Sequence, residues 1–215
     1  MKLKHRLVSF TIVFMLVLVS LNPSKASAAT GIDLSYWYTD SSDIYYWDTS
    51  TIKTFTGTNV TNSLLSTTKI NEYVSLGFSS WNSATGLSRN IVASQSQANL
   101  AIGGISSSDA SSIGIPANVA GVTLYSGTFA INGYYNNSTK YIYKISSPTN
   151  LYLVNSSATS SFTETTWKKV VVHEMGHAFG YTGHYNSGNI MQEYIENVTS
   201  TTPSTNEKNH IGQVY

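Results

Sequence analysis

The chain has 215 residues, 41% hydrophobic and only 11% charged, with no Cys and a formal net charge of +1. Such a balance excludes a basic nucleic-acid binder and a disordered acidic tail, and the absence of Cys excludes a disulfide scaffold and any thiolate chemistry.

The amino end is set apart from the rest. Met1 to Arg6 is cationic, Leu7 to Leu21 is almost wholly apolar, and Ala26-Ser27-Ala28 offers small residues for a peptidase. This is the pattern of a secretory signal over residues 1–28, cleaved after Ala28. Fifteen residues of helix rise only about 22 Å against roughly 30 Å of hydrocarbon, which is too short for a membrane anchor. Lys2, Lys4, Arg6 and Lys25 leave with the segment and take the net charge from +1 to −3. No electrostatic attraction to nucleic acid or to an anionic membrane survives in residues 29–215. The expectation is a secreted, extracellular monomer that binds neither nucleic acid nor, after cleavage, membrane. A chain of this length buries about 70% of its unfolded surface as one domain, and no linker or internal repeat divides it.

In chain order, Ile70, Tyr73, Val74, Phe78 and Trp81 recur at three- and four-residue steps, which predicts an amphipathic helix capped by Thr67 or Thr68 and stopped by Gly86. Residues 98–102, 121–125 and 150–154 are short, rich in β-formers, and read as strands of one sheet. Trp37 and Trp47 read as core and strand residues. A second helix is predicted to start at Ser161-Phe162-Thr163-Glu164, which fits the Ser-x-x-Glu capping box. Trp167, Val170, Val171, Glu174 and Ala178 then form its inward stripe, with His173 and His177 one turn apart beside it.

From His173 to His184 the chain reads HEMGHAFGYTGH and holds three of the four His that follow the signal segment. With four His and six Glu in that region, an H-E-x-x-H arises by chance roughly 0.003 times. Residues i and i+4 of a helix sit about 6 Å apart on one face, so both imidazoles can converge on a Zn²⁺ at about 2.0–2.1 Å. Glu174 follows the first ligand and points beside the metal, where a carboxylate can act as general base on a water rather than as a ligand. A catalytic zinc needs a third protein ligand and an open position. Four candidates follow the helix: His184, His210, Glu193 and Glu196. His184 asks least of the chain, because Gly180 can end the helix in the left-handed conformation and a short loop can reverse. His210 reads as a surface or capping residue of a last helix.

These residues resemble the metzincin zinc endopeptidases and, among them, the matrixins, whose pattern is H-E-x-x-H-x-x-G-x-x-H followed by a Met-containing turn. His184 stands one residue later than that spacing, an expansion of the loop by one. The resemblance implies that Met191 is the Met-turn residue, an apolar floor beneath the metal. It also implies that residues around Ser79 to Trp81 and residues 98–102 correspond to the family's first helix and the strand after it, and that Ser204 to Tyr215 forms the closing helix. By the same resemblance an extended protein or peptide substrate pairs with an edge strand, assigned to Gly121–Ser126, and Tyr194 helps wall the pocket for the side chain after the cut. Latency through a Cys thiolate, common in matrixin propeptides, has no residue to use here.

The sequence therefore predicts an α+β, single metzincin-like domain over residues 29–215: a twisted mixed sheet, a helix carrying the HExxH residues, and a C-terminal helix. The expected activity is peptide-bond hydrolysis, with one catalytic Zn²⁺ on His173, His177 and His184 and with Glu174 as general base. For Ca²⁺ no ligand motif is readable. The alternative is a secreted surface or carbohydrate-binding β-rich protein with a structural zinc.

Overall fold

A computed structural model describes residues 43–116, 118–125, 130–134, 141–145, 148–181, 183–184 and 189–215. The signal segment 1–28, Trp37 and Ser126 lie outside the described residues.

Strands β1 (Asp43–Tyr46), β2 (Thr51–Thr58), helix α1 (Thr67–Thr85), β3 (Ser88–Ile91), β4 (Leu100–Ser106) and a short helix α2 (Ser107–Ser112) open the order. They are followed by β5 (Gly121–Tyr125), β6 (Ala130–Tyr134), β7 (Tyr141–Lys144), β8 (Thr149–Asn155), α3 (Glu164–Ala178) and α4 (Thr205–Ile211). The main sheet has five strands in the order β3-β2-β4-β8-β5. Its first four strands are parallel, and β5 joins β8 antiparallel at the edge, with Gly121 opposite Leu153 and Tyr125 opposite Thr149. A smaller sheet has the order β1-β7-β6. The fold is a single α+β domain, and residues 100–102, 121–125 and 150–154 do lie in one sheet. No helix of the described residues is long and apolar enough to cross a membrane.

The helical spacing of α1 buries Ile70, Tyr73, Val74, Gly77, Phe78 and Trp81 on one side. Its cap is Ser66, one residue ahead of the expected pair, because the Ser66 hydroxyl accepts the Lys69 N–H; Gly86 closes the helix at φ 65°. Helix α3 packs against α1 so closely that a methyl group on Gly77 would lie 2.7 Å from Met175 Cγ. Trp81 Nε1 donates to the Val172 carbonyl at 2.9 Å, locking the two helices in register. Ile52, Leu100, Ile102, Leu151 and Leu153 from the sheet meet Trp81, Trp167 and Val171 in one core. Burying a side chain of this size stabilises the fold by about 1.5–3 kcal/mol each. Together they hold α3, the site's carrier, against both the sheet and α1.

Candidate metal centre

Helix α3 starts later than the capping-box reading of Ser161 required. Thr163 is the cap, its hydroxyl accepting the Thr166 N–H at 3.2 Å. Glu164 is thereby the first helical residue, where a carboxylate suits the helix dipole and reaches Lys168 at 2.8 Å and Lys69 at 3.3 Å. At the other end Gly180 N donates to the His177 carbonyl at 2.8 Å and Tyr181 N to the Gly176 carbonyl at 2.9 Å, a Schellman closure. Gly180 takes φ 105°, and a methyl group there would sit 2.0 Å from the Tyr45 carbonyl oxygen. The helix stop therefore demands glycine for both its dihedral and its clearance.

His173, His177 and His184 come together, with ligand atoms all within 4.8 Å of one another. His173 Nδ1 lies 2.8 Å from the Ile190 carbonyl and His177 Nδ1 lies 2.8 Å from the Tyr181 carbonyl. A carbonyl only accepts, so each Nδ1 carries the hydrogen and each Nε2 presents a lone pair. The two Nε2 atoms face each other at 3.1 Å. Two lone pairs so placed repel unless a cation joins them, and tetrahedral zinc with bonds of 2.0–2.1 Å would set them about 3.3 Å apart. The donor set fits that ion. Burial, and secondarily the neighbouring His177, holds the His173 imidazole well below its ordinary pKa. Burial likewise lowers His177 to about 4, so both rings are neutral at neutral pH, as metal ligation requires. The exposed His184 ring stacks on His173 with centroids 5.2 Å apart, so the longer loop still delivers it.

Glu174 is buried at 5% exposure and faces β5. Thr123 Oγ1 lies 2.9 Å from both Glu174 Oε2 and the Glu174 carbonyl. Gly121 makes the room, since a methyl group there would lie 2.8 Å from Glu174 Cγ and 3.0 Å from its Oε1. Burial pushes the carboxyl up to about 8 against a smaller downward pull from the Thr123 hydroxyl. Such a group sits between proton acceptor and proton donor near neutral pH. A cavity of about 690 Å³ opens beside it, with His173, Glu174 and His184 on its wall and Tyr194 at its margin.

Met191 is fully buried, and a methyl group on Gly176 would come within 2.6 Å of its sulfur, so it packs directly against α3 between the two helical histidines. Its backbone N–H donates to Glu207 Oε1 at 2.7 Å, while Oε2 accepts from Ser204 N at 2.7 Å in the capping box of α4. His210 is on α4 as expected but is not at the surface. It is 1% exposed and lies against the Tyr181 ring at 4.2 Å, because α4 turns that face inward. It is not in the three-His group. Glu193 and Glu196 are exposed on the cavity margin and also stand outside that group.

Several supporting residues carried little or no local signal. Thr123 and Gly121 act across about 50 residues of sequence through β5. Tyr125 donates its hydroxyl to the His177 carbonyl, and Tyr215 donates its own to Phe179 O at 2.6 Å. The Gly at the head of the 121–125 strand was the available hint, since a strand-interior Gly marks close approach of another group. A family model described as Matrixin matches residues 46–215. No curated protein matches the chain.

Proposed function

From the premise that this chain belongs to the matrixin family, and so to the zinc-dependent endopeptidases, we propose that His173, His177 and His184 hold its zinc and that Glu174 is its general base. The observation that carries this reading is the pair of Nε2 lone pairs at 3.1 Å beside a buried carboxylate that opens on a cavity. Zinc, when bound, supplies a Lewis acid that acidifies a water and polarises a carbonyl. The Ile190 and Tyr181 carbonyls orient the two helical imidazoles toward it. Thr123 occupies Glu174 Oε2, which leaves Oε1 to take a proton from the attacking water and return it to the leaving amine. Strand β5, at the sheet edge, offers main-chain groups to an extended peptide. Tyr194, 54% exposed at the cavity margin, walls the pocket for the side chain after the cut. Export through residues 1–28 and action as a monomer complete the proposal.

A structural zinc in a carbohydrate-binding protein would leave a buried carboxylate next to the ligands without a task. The test is hydrolysis of a mixed peptide library by the purified protein, with and without chelator, beside Glu174→Ala. The variant should keep its zinc and lose at least about 10²-fold in rate. Full activity in the variant, or in metal-free protein, overturns the proposal.

A further inference from the structure

The cavity beside Glu174 runs along α3 to Lys169. Lys169 stands one turn ahead of His173 at the i, i+4 spacing, on the same helix face and about 6 Å away. Three other lysines, Lys69, Lys144 and Lys168, lie in ion pairs with carboxylates. Lys169 is half-buried as they are, but it donates one hydrogen to the Val198 carbonyl at 2.5 Å and has no ion pair among the described residues. Two of its N–H groups and its whole charge therefore remain without an anionic partner on the wall of the cavity that His173, Glu174 and His184 also line.

We propose that Lys169 makes this site select an acidic side chain, glutamate before aspartate, in the residue that follows the cleaved bond. The inference rests on the endopeptidase reading above and names its substrate class. Val170 and Phe162 line the cavity as apolar wall that the stem of a glutamate would cover. Lys169 stands a helical turn from His173, so the longer stem of glutamate spans more of that separation than aspartate can. Glu193 and Glu196 also border the cavity and oppose an incoming anion, but both are exposed. Water and salt screen exposed charges, whereas a half-buried ammonium acts through a lower dielectric; the buried Glu174 carboxyl, raised to about 8 by burial, opposes an anion little below that pH, so Lys169 decides the preference.

The test is a series of fluorogenic peptides identical except for Glu, Asp, Gln, Leu or Lys after the scissile bond, cleaved by the zinc-loaded protein. Hydrogen bonds to a charged group discriminate by about tenfold or more, so kcat/KM should favour Glu over Gln by at least that factor. Lys169→Met should bring the Glu/Gln ratio near one, Lys169→Arg should keep it, and Lys169→Glu should turn the preference toward Lys. In parallel, binding of Glu-Ala-amide and Gln-Ala-amide to the metal-free protein, read by NMR titration, should show the same preference and the same loss in Lys169→Met. Cleavage with a Glu/Gln ratio of one, or a ratio unmoved by Lys169→Met, overturns the role of Lys169 and leaves the peptidase standing. Selective binding without cleavage of any peptide overturns the peptidase and leaves the acid-selective pocket. Neither cleavage nor binding overturns both.

Discussion

Replacing Gly121 by Ala tests whether β5 sets the position of Glu174. The added methyl would lie 2.8 Å from Glu174 Cγ and 2.8 Å from Val170 Cγ1, about 0.6 Å inside ordinary contact. Gly121 needs no left-handed backbone, so the substitution itself relieves chain entropy, a gain of about 0.4–1 kcal/mol. Overpacking a filled site costs about 1–3 kcal/mol, so the clash prevails and something must move. Val170 is anchored on α3 in the core, whereas the Glu174 side chain can swing at the cost of its Thr123 hydrogen bond. A displacement of this order at a proton-transferring group costs up to about 10²-fold in kcat/KM. Zinc should stay at wild-type level, because the clash touches no imidazole. The assay is kcat/KM on one peptide, zinc by atomic absorption, and Tm. Gly103→Ala on β4, two strands away in the same sheet, is the control, since its methyl would meet nothing closer than 3.8 Å and should leave all three readings near wild type. Gly121→Ala with kcat/KM within about threefold of wild type would refute the packing argument.

Metal-free protein should be most stable near pH 6.5. Glu174 has its folded pKa raised from 4.5 to about 8, so its stabilisation is complete below 4.5 and lost as pH rises through about 8. His173 and His177 have theirs lowered from 6.5, His177 to about 4, so their contribution is present above 6.5 and lost as pH falls through about 4. Tm against pH should therefore rise to about 6.5 and then decline, and Glu174→Gln should abolish the alkaline decline; a decline that persists removes Glu174 as its source. Glu207→Gln leaves either Met191 N or Ser204 N without its acceptor, and should cost about 1–3 kcal/mol, read as a fall in Tm, together with faster loss of zinc to a chelator. Equal zinc retention would sever the Met turn from ligand positioning. His184→Ala should lose most zinc and activity, whereas His210→Ala should keep zinc but lose about 2–4 kcal/mol of stability to a cavity beside Tyr181. Metal analysis with the reverse pattern would move the third ligand elsewhere.

The helical half of the site was legible because its geometry is local: four residues of helix bring His173 and His177 to one point wherever the helix sits. That His184 joins the two helical histidines was legible from economy, since a helix stop at Gly180 and a short loop bring it back. What escaped was whatever depends on partners distant in sequence. Strand β2 passed unseen because two of its inward positions are Thr54 and Thr56, which weaken the alternation of apolar and polar residues. β3 is four residues long and mostly exposed, with no inward face to read. His210 was misread because a seven-residue helix has too few apolar positions to announce which face it buries. The caps at Ser66 and Thr163 each differ from their expected positions because neighbouring Ser and Thr compete for the same N–H, and only backbone geometry chooses between them.

The two helical imidazoles are oriented by carbonyl oxygens of Ile190 and Tyr181, not by side chains. Every residue type supplies that oxygen. Ring orientation is thus insulated from the chemical identity of positions 190 and 181, whose buried side chains answer to packing and the path of the chain. A saturation scan there should report volume and shape, sparing near-isosteric replacements and punishing those that bend the main chain. An engineer seeking to retune the centre would find little purchase at those two positions, and evolution can rewrite the surroundings of the pair without rewriting how the rings are aimed.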